Sequence, residues 1–199
     1  MNLYHRKIKT SGALGEDWVD AGDGIRSRRA ARVIVLDDDG RALLVRGHDA
    51  DLPSRSWWFT IGGGIDAGET PAEAASRELR EETGLEVAAQ DLIGPVVTRV
   101  GLFHFHLETC RQDETFFLAR VQSGTQPHQN GWTEAERNLL DELAWHTPDE
   151  LRAQPLEVFP TALPDVIERL AAGWDGTVLH LGQEDDDADE RTCLSGCRH

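Results

Sequence analysis

Residues 63–85 read GGIDAGETPAEAASRELREETGL and carry the signals of a helix with well-defined ends. Thr70 is suited to cap the N-terminus, Pro71 suits the first helical position, and Glu73 completes a capping box with the capping threonine. Gly84 lies where helices commonly end on a residue with a left-handed backbone. The sequence therefore predicts a helix that begins after Thr70 and ends before Gly84.

Three glutamates share one face of this predicted helix. Glu78, Glu81 and Glu82 are spaced i, i+3 and i+4, which places them one turn apart. Such a group of carboxylates suits hard divalent cations. A solvated acidic face has the same spacing, although the last turn of a helix normally favours cations. Arg77 and Arg80 offset only part of the repulsion, so the residues alone leave a metal site and a solvated face both open.

The spacing of these residues resembles the signature of the Nudix hydrolases, G-x5-E-x7-R-E-U-x-E-E-x-G-U, in which U is a bulky aliphatic residue. The matching positions are Gly63, Glu69, Arg77, Glu78, Leu79, Glu81, Glu82, Gly84 and Leu85. The resemblance covers residues 29–172, although only the box is specific, and residues 57–64 resemble the usual approach to the box. Ile61 occupies a position where many members carry proline, which concerns the shape of the loop rather than the metal ligands.

The resemblance implies a metal site and a group of catalytic residues. It assigns Mg²⁺, for which Mn²⁺ can substitute, to the carboxylates of Glu78, Glu81 and Glu82 and to a backbone carbonyl at Gly63. It assigns Arg77 to the catalytic group as the residue that orients these acids.

The general base is not fixed by the resemblance, because Nudix members differ in this residue. Glu136 and Glu142 are the preferred catalytic candidates outside the box, since they lie where the family often places such an acid. Glu114 and Asp141 are alternatives, and each of these four residues also fits a plain surface acid. Glu69, just before the helix, is expected to support the box arginine rather than to react.

The implied reaction is hydrolysis of a nucleoside diphosphate linked to a second group, X, which gives a nucleoside monophosphate and phospho-X. Metal ions neutralise the anionic pyrophosphate, lower the pKa of a bound water and align the attacking and leaving oxygens. We favour ADP-ribose or a nucleotide sugar, because the domain is longer than the smallest nucleotide-pool sanitisers. Two alternatives stay open: a (d)NTP pyrophosphohydrolase that sanitises the nucleotide pool, and a non-catalytic module that senses a nucleotide.

Substrate contacts are predicted at two positions outside the box. Arg46 ends an apolar strand and can meet a phosphate, although arginines at strand ends are commonly solvated. Trp58 and its neighbour Trp57 can stack on a base, but alternation along a strand places one of the two in the core. We take Arg46 and Trp58 as the candidate substrate residues.

The composition limits the partners of the chain. It has 199 residues and a formal net charge of −16, from 36 acidic and 20 basic residues. This excess of acid argues against a nucleic-acid polymer, which is usually bound through a basic surface, and is compatible with a small nucleotide-derived substrate. No apolar run reaches the roughly 18 residues of a membrane span. Three cysteines without framework spacing favour a reducing, cytoplasmic location, and a homodimer stays an open alternative.

The chain is predicted to form an N-terminal extension over 1–28, a Nudix domain over 29–175 and an acidic, flexible tail over 176–199. An alternative role for the acidic run at 184–190 in this tail is to bind a partner. Strands are predicted at 31–36, 41–46, 57–60, 96–107, 116–121 and 143–146, with a strand or extended segment at 85–88. A short helix or helical turn is predicted at 134–142 and a further helix at 164–172. Strands with helices before and after them predict an α/β fold. The resemblance implies the Nudix α/β/α sandwich, with a mixed β-sheet and the Nudix loop-helix-loop.

Overall fold

A computed structural model of the chain describes residues 18–20, 22–49, 53–105 and 108–185. Within these ranges, nine strands join in one mixed sheet, and helices pack on both of its faces. The strands are β1 (Val19–Asp20), β2 (Arg26–Asp37), β3 (Ala42–His48), β4 (Ser56–Gly64), β5 (Ile93–Phe105), β6 (Glu108–Val121), β7 (Leu140–His146), β8 (Glu157–Phe159) and β9 (Leu179–Asp185). The helices are α1 (Pro71–Thr83), α2 (Glu134–Arg137), α3 (Pro148–Ala153) and α4 (Leu163–Ala171), with a short 3-10 turn at Ala89–Asp91.

The sheet runs in the order β7-β3-β4-β2-β6-β5-β9, with β1 paired to β2 and β8 paired to β4. The pairs β2–β6, β4–β8 and β5–β9 are parallel, and the other pairs are antiparallel. The strands predicted at 31–36 and 41–46 are confirmed within β2 and β3, which form an antiparallel pair with Val35 opposite Leu43. β2 lies at the centre of the sheet, as its run of buried β-branched residues favours.

Alternation along β2 gives each face of the sheet its own core. Ile34 and Leu36 pack with α3 and α4, whereas Val33 and Val35 pack with α1. The first core also contains Leu44, Trp58, Phe116, Leu118, Leu151, Leu163, Val166, Ile167 and Leu170. The second core also contains Leu43, Val45, Ile61, Ala74, Ala75, Leu79, Phe117 and Trp132. Helices on both faces of a mixed sheet give the α/β/α sandwich that the sequence predicted.

Helix α1 forms between the predicted end signals. The Thr70 Oγ1 accepts the backbone N–H of Glu73 at 3.3 Å, and a Glu73 carboxylate oxygen accepts the backbone N–H of Thr70 at 2.8 Å. Gly84 ends the helix with a φ of 71°. The small and apolar face of the helix is buried against the sheet at Ala74, Ala75 and Leu79. This packing fixes the rotation of α1 and hence the direction of its acidic face.

The segment after α1, which is predicted to be a strand or an extended segment, takes the second form at Ala88, whose backbone is extended. No strand forms at 85–88 within the part of the chain that the structure describes, and the 3-10 turn follows. The Val87 carbonyl accepts the Ser76 hydroxyl at 2.6 Å. A helix side chain therefore uses the carbonyl that a neighbouring strand would otherwise need.

The flexible tail is predicted to begin at residue 176, but Leu179–Asp185 form strand β9. Strand β9 pairs in parallel with β5, and Leu179 and Leu181 pack against the first core. Glu184, the first residue of the acidic run, accepts Nη1 of Arg99 at 2.7 Å. An ion pair and two leucines thus hold this segment in the sheet. The rest of the predicted tail, 186–199, lies outside the described residues.

The predicted N-terminal extension also contributes to the fold. Strand β1 pairs with the start of β2, which begins at Arg26, before the predicted domain boundary. Trp18 is buried, with the guanidinium carbon of Arg28 4.5 Å from its ring centroid. Phe103 lies edge-on to the same indole at 5.8 Å. The sheet therefore begins earlier than residue 29.

None of the helices in the described ranges is long and apolar enough to cross a membrane. Helix α1 has 13 residues, whereas a transmembrane helix needs about 20.

Truncation after Gly176 is expected to destabilise the protein, because it removes β9, the packing of Leu179 and Leu181, and one ion-pair partner of Arg99. We expect the free energy of unfolding to fall by roughly 2–4 kcal/mol in urea denaturation. A chain that ends after Asp185 is the matched control and should stay close to the full-length value. Equal stability of the two shortened chains would contradict the assignment of β9 to the fold.

Candidate active site

Arg77 of α1 lies at the centre of a cluster of carboxylates that come from the helix and from the loop before it. Its Nε and Nη2 each donate to Glu69 at 3.0 Å, and Nη1 donates to Glu78 at 2.6 Å and to Glu81 at 3.3 Å. Nη2 also donates to the carbonyl of Gly64 at 2.9 Å. The planar fork of the guanidinium therefore joins α1 to the preceding loop and to the end of β4.

These contacts shift the titration of both partners in the main ion pair. Hydrogen bonding to Glu69 raises the pKa of Arg77 despite its partial burial. The hydrogen bonds from Arg77 lower the pKa of Glu69, which also accepts the backbone N–H of Asp66. The prediction that Glu69 supports the box arginine is confirmed. Glu73 lies four residues before Arg77, within salt-bridge reach on a helix, but its carboxylate is used in the predicted capping box.

Glu78 and Glu82 are both buried beside the glycine segment that ends β4. A Glu82 carboxylate oxygen accepts the backbone N–H of Gly62 at 2.9 Å. A side chain at Gly63 would place its Cβ 2.8 Å from the Glu78 carboxyl carbon, so only glycine leaves room for that carboxylate. Two buried carboxylates thus lie beside neighbouring glycines of one backbone segment, and oxygen donors of this kind fit Mg²⁺ or Mn²⁺.

The third carboxylate of the helix face is more open. The Glu81 side chain is 43% exposed and shares Nη1 of Arg77 with Glu78. Among the residues that the structure describes, no three His, Cys, Asp or Glu side chains already form a metal-ligating cluster. Arg77 holds two of the three carboxylates here, so the metal site at Gly63, Glu78, Glu81 and Glu82 stays a prediction.

Trp58 does not lie in a position to stack on a substrate base. Its side chain is 5% exposed and belongs to the core under α3 and α4. The ring packs edge-on against His146 with centroids 4.5 Å apart. The structure therefore corrects this prediction: alternation along β4 turns Trp58 into the core, and Trp57 points to the opposite face.

Arg46, a predicted substrate residue, and Glu142, a predicted general base, form an ion pair with each other. Nη1 of Arg46 lies 3.0 Å from a Glu142 carboxylate oxygen, and Nε lies 3.3 Å from Asp141. The guanidinium carbon of Arg46 also lies 6.0 Å from the Trp58 ring centroid. The pair bridges β3 and β7 on the sheet face opposite α1, so the structure does not group it with the box carboxylates.

The remaining candidate bases are Glu136 and Glu114. Glu136 belongs to α2, but its side chain lies outside the described part of the chain, so its role stays a prediction. Glu114 is buried, and its two oxygens accept Nε of Arg32 at 2.5 Å and Nε of Arg99 at 2.6 Å. With both oxygens held by arginines, Glu114 is a structural acid rather than a base.

Burial by itself raises the pKa of Glu114, but the charges of Arg32 and Arg99 outweigh that effect and leave the pKa below its ordinary value. The carboxylate therefore stays ionised inside the sheet layer. Arg99 extends the chain of charges to Glu184 at the sheet edge. The sequence did not predict this network of Arg32, Glu114, Arg99 and Glu184, because its members come from four separate strands.

The sequence predicts no role for the loop at 122–133 before α2, which is rich in Gly, Pro, Gln and Asn and has the composition of a plain connection. Trp132 in this loop is buried, and its indole N–H donates to the backbone carbonyl of Glu82 at 2.7 Å. The His128 backbone N–H donates to the Thr83 carbonyl at 2.8 Å. A tryptophan within a polar loop was the signal that could have indicated this contact.

The family of the chain follows from the box geometry and from the fold. The NUDIX domain family model matches residues 26–169. The chain belongs to the Nudix family. The match covers the box helix, the glycine segment and most of the sheet, so the Nudix resemblance is confirmed for this part of the chain.

Relatives of this Nudix protein differ in their names and in the length that is shared. An RNA pyrophosphohydrolase from Halorhodospira halophila is 46% identical over 74 residues, which are 36% of this chain and 36% of that protein. A MutT-like protein from Streptomyces ambofaciens is 26% identical over 135 residues, which are 68% of this chain and 73% of that protein. The solved structure of a mutator MutT protein from Bacillus halodurans matches with a TM-score of 0.54 at 21% identity, over 80% of this chain and 91% of that chain, and shows the shared fold. Two of the curated relatives are matched over only 20% and 36% of their own length.

Glu114→Gln is expected to lower the free energy of unfolding at pH 7 by about 3–5 kcal/mol, because it leaves Arg32 and Arg99 buried with less countercharge. In the wild type the pKa of Glu114 is depressed below 4.5. This stabilisation is therefore complete above pH 4.5 and is lost as the pH falls through the lower pKa of the folded state. Urea denaturation at pH 7 and at decreasing pH measures both effects.

Glu157→Gln is the matched control, since Glu157 pairs with Arg55 at 3.3 Å and is 38% exposed. A surface pair of this kind contributes about 1 kcal/mol or less. If Glu114→Gln cost no more than Glu157→Gln, the structural role of Glu114 would be wrong.

Proposed function

We propose that this Nudix protein is a pyrophosphohydrolase that depends on a divalent metal ion. The cluster around Arg77 carries the proposal: Glu78, Glu81 and Glu82 lie on one helix face, and two of them are buried against the glycines of β4. The family match supports the same reaction class. Cleavage of a phosphoanhydride is what the printed names of several relatives describe, among them RNA pyrophosphohydrolase and putative 8-oxo-dGTP diphosphatase.

The residues that would hold Mg²⁺, or Mn²⁺ in its place, are Glu78, Glu81 and Glu82 with the backbone carbonyl at Gly63. When bound, the ion supplies charge neutralisation for the diphosphate and a lower pKa for a coordinated water. Arg77 orients the carboxylates from the side and stays charged. Its bonds to Glu78 and Glu81 have to loosen when these carboxylates turn to a cation.

The substrate that we favour is a nucleoside diphosphate linked to a second group, of the ADP-ribose or nucleotide-sugar type, cleaved to a nucleoside monophosphate and phospho-X. The support is the size of the domain, whose sheet extends from Val19 in β1 to Asp185 in β9. The net charge of −16 supports a small substrate over a nucleic-acid polymer, because a polymer is usually bound through a basic surface.

A (d)NTP pyrophosphohydrolase is the second candidate. The relative named putative 8-oxo-dGTP diphosphatase, from Bacillus subtilis, is 42% identical over 66 residues. That match covers 41% of the relative, so it bears on the shared segment rather than on the whole substrate site. A non-catalytic sensing module is disfavoured, because the box keeps every one of its acids.

Glu82→Gln is expected to lower kcat by roughly 100-fold or more, because it removes the negative charge of a proposed metal ligand. The amide oxygen of glutamine can still accept the N–H of Gly62, so the local fold should be kept. The assay measures release of nucleoside monophosphate with Mg²⁺ from ADP-ribose, nucleotide sugars, dinucleoside polyphosphates, (d)NTPs and 5′-triphosphorylated RNA. Glu86→Gln, which removes an exposed charge just beyond α1, is the matched control and should retain wild-type turnover. Equal rates for Glu82→Gln and the wild type would contradict the proposed site. Turnover confined to RNA or to (d)NTPs would contradict the favoured substrate class.

A further inference from the structure

The loop over residues 122–133 closes the C-terminal end of α1. The indole N–H of Trp132 donates to the Glu82 carbonyl at 2.7 Å, and the backbone N–H of His128 donates to the Thr83 carbonyl at 2.8 Å. Both carbonyls belong to the last turn of the helix that carries the acidic cluster. The loop therefore provides donors for the end of this helix.

The last four carbonyls of an α-helix lack partners within the helix. In α1, the Arg80 carbonyl accepts the N–H of Gly84 at 2.9 Å. The carbonyls of Glu82 and Thr83 lie beyond the reach of intrahelical N–H groups and accept the two donors of the loop instead. At Glu81 the loop packs directly against the helix backbone. Gly131 approaches the Glu81 carbonyl so closely that a side chain at this position would collide with it.

Glu82 is consequently held at both ends. Its carboxylate accepts the N–H of Gly62 at 2.9 Å, and its carbonyl accepts the indole N–H of Trp132. Trp132 is itself only 5% exposed and packs in the core between α1 and the sheet. Its donor group is thus fixed by packing before any ligand arrives.

We propose that Trp132 is a positioning residue, which holds the backbone of Glu82 so that the carboxylates of the last turn of α1 can converge on a divalent cation. This inference rests on the metal-dependent function proposed above. Because Trp132 contacts a backbone carbonyl and no carboxylate, its loss should weaken metal affinity without removing a ligand. Activity should then recover when the metal concentration is raised to saturation.

The test is Mn²⁺ titration of the metal-free full-length protein, with free Mn²⁺ followed by electron paramagnetic resonance. Trp132→Phe keeps an aromatic ring in the core and removes the N–H donor. We expect its Kd for Mn²⁺ to rise roughly 3- to 10-fold, the effect of losing one buried hydrogen bond. Hydrolysis at saturating Mg²⁺ should return to near the wild-type kcat.

Trp174→Phe is the matched control, since its indole N–H also donates to a backbone carbonyl, that of Thr177 at 3.1 Å. It lies between α4 and β9, away from the box, so Mn²⁺ affinity should not change. Gly131→Ala is a second variant, which tests whether the loop must pack closely on the last turn of α1. It should also weaken Mn²⁺ binding, because the new Cβ meets the Glu81 carbonyl, and it serves if Trp132→Phe fails to fold.

The outcomes separate this role from the function on which it rests. If the wild type binds Mn²⁺ and Trp132→Phe binds it with the same affinity, the positioning role is wrong and the proposed function stands. If Trp132→Phe is unfolded, the same result for Gly131→Ala has the same meaning. A wild-type protein that binds no Mn²⁺ and cleaves none of the phosphoanhydride substrates would overturn the proposed function, and the positioning role with it. A selective loss of affinity in the loop variants supports the role.

Discussion

The acidic face of α1 depends on the positive charge of Arg77. Three carboxylates in the second half of one helix repel each other and the negative end of the helix dipole. The Arg77 guanidinium lies within 3.3 Å of Glu69, Glu78 and Glu81 and also binds the carbonyl of Gly64. It therefore offsets the repulsion, and its Nη2 ties the helix to the end of β4 through the carbonyl of Gly64.

The sheet provides the other half of the site through a segment that only glycine can form. Gly62 has a φ of 137°, and a Cβ there would lie 2.6 Å from the Arg32 Cα on the neighbouring strand. Because this backbone is bare, its N–H reaches Glu82, and the missing Cβ of the adjacent Gly63 leaves room for the Glu78 carboxylate. The close packing of α1 on the second core then fixes the distance between the two halves.

The parts of the molecule that the sequence predicted well are those whose signals are local. The caps of α1 and the grouping of the box acids come from residues within one helix. Trp58 was misplaced because alternation gives the period of a strand but not which residue faces the core. The ion pair between Arg99 and Glu184 joins residues 85 positions apart, and the bond from Trp132 to Glu82 joins residues 50 apart. No short sequence pattern encodes contacts at such separations, so β9 and the loop over α1 were read as a tail and a plain connection.

The most direct test of this account is the anomalous scattering of a crystal of the full chain soaked in Mn²⁺. The account predicts a manganese peak enclosed by carboxylate oxygens of Glu78, Glu81 and Glu82 and by the carbonyl at Gly63, with the bonds from Arg77 to Glu78 and Glu81 lengthened or broken. A saturated crystal with no peak at this place, and with those two carboxylates still paired to Arg77, would contradict it.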